Sequence, residues 1–401
     1  MPAGLLTLVD DGRASYATFA YGRRYLQRPD RVAVDPTGLP LPEPGSDQVF
    51  HTEEGFAVFG GIRDAAPDGW GQYLIYKAMG DRLPSEADLI LASGDHRVGA
   101  LAFGPTSDRP ERITPWGEGD APGEHFSLAE LAAAAERAQH VDQLDENLRS
   151  LLTAGSSLGG ARPKAATEID GQPWIAKFQA KADSFPECRV ELATMRLASK
   201  CGLDVPALHF ERALERDIYM IRRFDRSGQG GEACRIPFVS GLTMLAAHES
   251  EVSRFSYADL AASVRRHGTR IADDLRELFR RMVFNILVTN DDDHLRNHGF
   301  LFQDGGWQLS PLYDVVPKPQ VGLERRLVLG VGPHGRLATL TNALAGAAVF
   351  NVEEGEGRSI IAEMAGVVRR NWEPCFAEAG VGVADVERFR TCFREAELWV
   401  G

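Results

Sequence analysis

The residues best equipped for chemistry lie in one run, NDDDHLRNHGF, from Asn290 to Phe300, where three carboxylates, two histidines and an asparagine follow an apolar helical pattern. A little further on, LSPLYDVV sets Asp314 in an otherwise apolar context. Phosphoryl transfer needs a carboxylate beside the attacking hydroxyl and oxygen ligands that hold Mg²⁺ against the phosphates. Asp292 and Asn297, in D-x-x-x-x-N spacing, followed by a hairpin and then Asp314, supply those parts. The hairpin would return the chain so that Asn297 and Asp314 face one metal. Taken singly, each of these residues fits a solvated loop capping a helix. The ordered set is what points to phosphoryl transfer.

A second candidate is GSSLGGARPKA, from Gly155 to Ala165. Glycines let backbone approach a phosphate closely, and Arg162 and Lys164 add positive charge. The run is not a Walker A sequence, and by spacing alone a flexible connection is the simpler explanation. Lys177 sits in the apolar run QPWIAKF, where an unpaired buried ammonium would be costly. Glu191, on the helix expected next, could be its partner, as in the lysine–glutamate pair of kinases. Two weaker patterns are set aside. Gly330, Gly332 and Gly335 spell GxGxxG but enclose Pro333 and lie outside any βαβ pattern. His294 and His298 have helical zinc spacing, but the glutamate of that motif is missing and Gly299 follows directly.

These residues need elements to position them. QPWIAKF (172–178) and DIYMIRRF (217–224) read as strands, and 187–200 reads as a helix. Ser127 followed by Glu130 has capping-box spacing ahead of LAELAAAAERAQH, and a further helix is expected through Leu152. Beyond residue 240 the pattern is mainly helical: ADDLRELFRRMVFNILVTN has apolar positions at 3.6-residue spacing, and helices resume at 358–371 and 384–398. Between them GFLFQ and WQLSPLYDV, separated by a Gly-rich turn at Asp304, form a hairpin pattern. Proline and glycine mark loops near 35–46 and 104–123.

Composition sets the outer bounds. The 401 residues are 44% hydrophobic and 25% charged, ordinary globular values that exclude disorder, collagen and a coiled-coil rod. The net charge of −13 argues against a broad phosphate-gripping face for DNA. The five cysteines contain no CxxC pair and fit free thiols in a reducing compartment. MPAGLLTLVDDG is too short an apolar run for a signal peptide, and no 18-residue apolar stretch occurs. A soluble cytoplasmic protein without membrane contact is expected.

Taken in order, FGGIRDAAPDGWG (Phe59 to Gly71), GDHRVGALAFGP (Gly94 to Pro105), SSLGGARPK, RRFDR (Arg222 to Arg226), NDDDHLRNHGF and LSPLYDVV resemble the characteristic segments of the HipA family. These are serine/threonine kinases, the toxin halves of bacterial toxin–antitoxin pairs. The likeness covers most of the chain. It implies an α+β, HipA-like kinase fold related to phosphoinositide-kinase-like enzymes. In that scheme a small N-terminal domain spans 1–125, a β-rich nucleotide lobe 126–240 and an all-helical lobe 241–401.

By the same resemblance, Asp292 is the catalytic carboxylate, and Asn297 and Asp314 hold magnesium. Lys177 binds phosphate, with Glu191 as the helix glutamate, and the backbone of Arg222, Arg223 and Phe224 takes the adenine. Ser157, Gly159 and Gly160 belong to the phosphate loop, and His294 also counts among the ATP-binding residues. Ser157, or its neighbour Ser156, is the serine the family autophosphorylates. A phosphate there would add about −1.5 to −2 charges to a phosphate-binding loop and so should inactivate.

ATP and Mg²⁺ are the implied cofactors. A protein substrate, an aminoacyl-tRNA synthetase in well-studied members, and a HipB-like helix-turn-helix antitoxin are the implied partners, with DNA reached only through the antitoxin. One departure concerns RIPFVSGLTML (Arg235 to Leu245), which stands where well-known members carry Gln-Glu-Asp. The alternatives are a catalytically silent member bound to an antitoxin, or a metal-dependent phosphoesterase using the Asp291-to-His294 cluster.

Overall fold

A computed structural model describes residues 1–10, 12, 14–80, 82–94, 96–107, 110–111, 113, 126–144, 148, 157, 159–228, 234–319, 322 and 324–399. Most of the expected helix before Leu152, much of the 104–123 connection, and Ser156 lie outside the described residues. The fold mixes helices and antiparallel sheets in two compact units: residues 1–182 with 212–239, and residues 183–211 with 240–401.

The first unit opens with strands β1 (Gly4–Asp10), β2 (Ser15–Tyr21) and β3 (Val49–His51) in the order β1-β2-β3. Phe19, Tyr21, Leu26, Leu39, Phe59 and Ile62 form a core against one face of this sheet. The proline-marked loop after Val34 is anchored by buried Asp35, whose carboxylate accepts the N–H groups of Thr37, Gly38 and Gly61. Helices α1 (Gly60–Ala65), α2 (Gly69–Met79) and α3 (Glu86–Ala92) follow.

Helix α4 (Leu128–Ala138) begins with the expected capping box, Ser127 and Glu130 each bonding the other's backbone. Its small alanines let it lie close on a second sheet, where β4 (Lys164–Ile169), β5 (Gln172–Phe178) and β6 (Arg216–Arg222) pair antiparallel in that order. Alternation along β5 decides the faces. Trp174, Ala176 and Phe178 join Ala165, Ile218 and Met220 in the core with Leu131 and Ala135. Lys177 therefore points to the other face, directly opposite Lys164 and Tyr219.

In the second unit, α5 (Glu187–Lys200) packs against the 25-residue α10 (Glu354–Glu378), and α8 (Ile271–Val288) packs against both α7 (Tyr257–His267) and α10. The short α6 (Gly241–Met244) and α9 (Leu340–Ala345) complete this group. The apolar face of α8, including Leu275, Leu278, Phe279, Met282 and Ile286, is fully buried, as its period requires. Strands β7 (Gly299–Gln303) and β8 (Gly306–Leu309) form the expected hairpin. Its two-residue turn, Asp304–Gly305, has positive φ at both positions, the geometry that matches strand twist.

Helix α10 outruns the expected 358–371 at both ends because buried Ile360, Met364, Val368, Trp372 and Phe376 keep its period. The single helix expected at 384–398 is instead α11 (Val383–Phe389), a 3₁₀ turn (Arg390–Phe393) and α12 (Arg394–Leu398). The tighter turn brings both Cys392 and Phe393 inward, and Phe393 stacks on Trp372 at 4.4 Å. Among the described residues, no helix is long and apolar enough to cross a membrane.

Candidate active site

The acidic turn of the second unit is built from the end of α8. Thr289 ends that helix in the left-handed conformation, φ 56°, and turns the chain into Asn290–Asp293. The backbone carbonyl of Asp292 accepts the N–H of His294 at 2.9 Å and Asn297 Nδ2 at 3.0 Å. That bond uses the Asn297 amide nitrogen, so its Oδ1 is the candidate ligand atom. The Asp292 side chain is 59% exposed, whereas Asn297 is buried. His294 caps the 3₁₀ turn Leu295–Asn297 that carries Asn297.

Beneath the turn runs a buried polar network that the sequence reading did not assign. Tyr257 Oη donates to the Asp293 carboxylate, and His298 Nε2 bonds the same group at 3.2 Å. Asn285 Nδ2 donates to Tyr257 Oη, and Asn290 Nδ2 to Asn285 Oδ1, both at 3.0 Å. Burial alone would raise the Asp293 pKa, but His298 and Tyr257 outweigh it and keep the group ionised. His298 is thus tied into this network, which is why its spacing from His294 carries no zinc motif. Pairing of Asp293 with His298 was hidden in the sequence because their five-residue separation meets only around the turn.

The hairpin brings the following stretch back to the turn. Tyr313 Oη donates to the carbonyl of Arg296 at 2.7 Å, which ties the LSPLYD stretch to the turn carrying Asn297. Asp314, half-buried, has φ 61°, a left-handed conformation that a non-glycine residue adopts at a cost. Arg281, buried on α8, supports this stretch by donating to the carbonyl of Ser310 at 2.6 Å. Lys318, beyond Asp314, reaches back to Asp292 at 3.1 Å and Asp291 at 3.6 Å. The divergent RIPFVSGLTML segment also meets the turn: Gly241 N–H donates to the carbonyl of His298 at 2.6 Å.

An amide oxygen and a carboxylate are hard donors suited to Mg²⁺, which commonly takes few protein ligands and completes its shell with substrate phosphates and water. Asn297 and Asp314 fit that chemistry. Among the described residues no three His, Cys, Asp or Glu side chains gather as an all-protein metal cage.

In the first unit, the loop residues Ser157, Gly159 and Gly160 are held by the two N-terminal motifs. Ser157 is buried, and its Oγ accepts the N–H of Gly94 at 2.8 Å. Asp68 accepts the N–H of Gly160, and Trp70 N–H donates to the Gly160 carbonyl at 2.9 Å. Gly160 has φ 97°, and Gly69, with φ 40°, lies so close that a Cβ would stand 2.7 Å from the Gly160 carbonyl oxygen. Lys164 Nζ donates to Gly159 O at 2.7 Å.

Lys164 and Lys177 are directly opposed and both buried, at 8% and 7% exposure, with Lys177 Nζ 5.8 Å from the Tyr219 ring centre. Two like charges across a ladder repel, an arrangement suited to an anionic ligand. Lys164 as a partner of Lys177 was invisible without the strand register.

Arg222 is exposed and bonds Gln172, while the Arg223 N–H donates to Pro173 O at 3.0 Å. The Arg223 side chain turns inward to Asp225 and to the carbonyls of His96 and Arg97. Arg226 and the Gly99 N–H reach the same carboxylate at 2.8 Å. RRFDR and GDHRVGAL thus meet in one buried cluster around Asp225, which takes up the side chains of Arg223 and Arg226. Phe224 follows Arg223 directly, and Glu191 lies buried on α5 in the second unit.

The Gly-Gly-Ala loop above two inward lysines, and the D-x-x-x-x-N turn with its hairpin and following aspartate, are the parts of a kinase-like protein. The chain belongs to the HipA family: residues 156–372, just over half of it, match the HipA-like C-terminal domain. It is 24% identical over 355 residues to the Sinorhizobium fredii protein named "Putative kinase Y4mE", covering 80% of this chain and 77% of that one. A Haemophilus influenzae protein named "Putative kinase" is 29% identical over 147 residues, 33% of this chain and 42% of its own length. Among solved structures, the Shewanella oneidensis MR-1 complex of HipA, HipB and operator DNA contains a chain that matches with TM-score 0.70 and 18% identity. That match covers 100% of this chain and 95% of the other, a likeness of fold.

Proposed function

We propose that this protein is an ATP- and Mg²⁺-dependent serine/threonine protein kinase, the toxin component of a type II toxin–antitoxin pair. The observation that carries the reading is the bonded turn presenting Asp292 on the surface with Asn297 beside it and the Asp314 stretch tied back by Tyr313. Family membership and the named relatives support it. In the reaction, Asp292 orients the substrate hydroxyl and accepts its proton. The oxygen–phosphorus bond forms as the bond from phosphorus to the β-phosphate oxygen breaks, and ADP leaves. Mg²⁺, when bound, neutralises charge on the phosphates, with Asn297 and Asp314 as its protein ligands. Lys177 and the Ser157–Gly160 loop hold the phosphates, and His294, Glu191 and the Arg222–Phe224 backbone complete the nucleotide contacts. The Shewanella complex supports a HipB-like antitoxin as partner, and the net charge of −13 fits DNA contact through that partner.

Incubation with Mg²⁺ and γ-labelled ATP should place label on the tryptic peptide that carries Ser157. Ser157 is buried on Gly94, so a phosphate there cannot keep that contact and the loop must leave its seat. Protein that binds ATP but transfers no label to itself or to any protein would favour the catalytically silent alternative. Gly69→Ala tests the loop separately. The new Cβ meets backbone at 2.7 Å in a conformation that costs a side chain of order 1–3 kcal/mol, so the loop has to shift. Nucleotide titration should show affinity reduced about tenfold, the equivalent of about 1.4 kcal/mol. Unchanged affinity would separate the loop from nucleotide binding.

A further inference from the structure

Lys318 lies four residues beyond Asp314, outside every segment singled out from the sequence. Its backbone N–H donates to the carbonyl of Thr289 at 3.0 Å, which lays this stretch along the start of the acidic turn. Its side chain folds back onto that turn, with Nζ 3.1 Å from Asp292 Oδ2 and 3.6 Å from Asp291 Oδ1. Burial pulls its pKa down, but the two carboxylates more than offset this, and the ammonium stays charged.

Stability is a poor reason for this contact. The side chains of Lys318 and Asp292 are 46% and 59% exposed, and ion pairs so open to water contribute little to folding. Nor does a cation resting on the proton acceptor help catalysis while it stays there, since it occupies the carboxylate oxygen that the substrate hydroxyl has to approach. A second task resolves the conflict. The hydroxyl that bonds to Asp292 is the one that attacks phosphorus, so the phosphoryl oxygens arrive next to the same carboxylate. A flexible ammonium already at Asp292 can reach them by rotating its own stem, and charge developing on a transferring phosphoryl group is what a positioned cation stabilises best.

We infer that Lys318 is a further catalytic residue: its ammonium rests on Asp292 and Asp291 in the free protein and transfers to the terminal phosphoryl oxygens when the triphosphate binds. The inference rests on the kinase reading above. As the phosphoryl group passes from ADP to the hydroxyl oxygen, the proton goes to Asp292, freed of its ion pair, and Lys318 balances charge on the moving group without changing protonation.

Lys318→Met and Lys318→Arg in the full chain test this with two readouts. The first is the ratio of affinities for ADP and for a non-hydrolysable ATP analogue, each measured with Mg²⁺ by calorimetry. Lys318→Met should cut the preference for the triphosphate about tenfold and leave ADP binding within twofold. The second is steady-state transfer: kcat should fall at least 100-fold, the KM for ATP should rise by no more than the tenfold lost in triphosphate affinity, and Lys318→Arg should recover at least tenfold of the loss in kcat. An unchanged triphosphate preference, an unchanged kcat, or a loss confined to KM would each overturn the role of Lys318 while the active wild type upholds the kinase reading. A wild-type protein that neither binds the analogue nor transfers phosphate would overturn the reading and the inference together.

Discussion

Asp292→Ala should lower phosphoryl transfer by about 10²–10⁴-fold, the range a positioned general base supplies. The fold should be nearly untouched. What holds the turn together is the backbone carbonyl of Asp292, which accepts from His294 N and Asn297 Nδ2, and alanine retains it. The side chain contributes one exposed ion pair to Lys318, of a kind worth about 0–1 kcal/mol. The thermal midpoint should therefore stay within about 2–3 °C of wild type, and ATP affinity within a few-fold. Transfer assays on the purified variant, run beside thermal unfolding, check both halves. A variant keeping a tenth or more of wild-type transfer would remove Asp292 from the role of base. A variant that loses activity only because it melts early would give no support to that role.

Asp225→Ala should have the opposite profile, a large effect on stability. Asp225 is completely enclosed, and its carboxylate takes bonds from Arg223, from Arg226 and from the Gly99 N–H. Removing it leaves two guanidinium groups, with side chains 2% and 8% exposed, facing no counter-charge. Breaking one side of such a buried pair costs about 3–5 kcal/mol. Urea unfolding at pH 7 should show a loss of that size, and a loss under about 1 kcal/mol would mean that the cluster relaxes or takes up water.

The pH dependence has a definite sign. Burial by itself would raise the Asp225 pKa, but the charge and hydrogen bonds of Arg223, with Arg226 and Gly99 N–H, outweigh it and leave the group below the ordinary carboxylate range. A pKa lower in the folded than in the unfolded state contributes stability that is complete above the unfolded value, about 3.9, and is lost as pH falls towards the folded one. The stability difference between wild type and Asp225→Ala should accordingly be flat from pH 5 to 8 and shrink below about pH 4.

Much of the fold was legible because it is written in short-range terms. The capping box at Ser127 and Glu130, the 3.6-residue stripe of α8 and the turn at Asp304–Gly305 each depend on residues within one or two turns of one another. The hairpin before Asp314 could be read for the same reason. Where the reading missed, long-range packing had decided. The helix expected at 384–398 breaks because Cys392 and Phe393 must both turn inward against Trp372 and its neighbours, and no local preference announces that demand. In RRFDR, the Arg223 and Arg226 side chains close on a loop more than 120 residues earlier in sequence, a contact that no local pattern announces.

By itself, the amino-acid sequence determined which residue types stand at which spacings: the D-x-x-x-x-N run, the aspartate after a hairpin, a lysine in an apolar strand and a glycine-bearing loop. It also determined the order of motifs that marks the HipA family. Tertiary structure alone decided what each of those residues touches. Strand register set Lys164 opposite Lys177, chain return laid Lys318 on Asp292, and burial under the acidic turn joined Asp293 to Tyr257 and His298. Spacing along a chain constrains only neighbours within a few residues. Contacts between distant residues depend on which surfaces pack and which charges must be satisfied once water is excluded, and those follow from the folded arrangement as a whole.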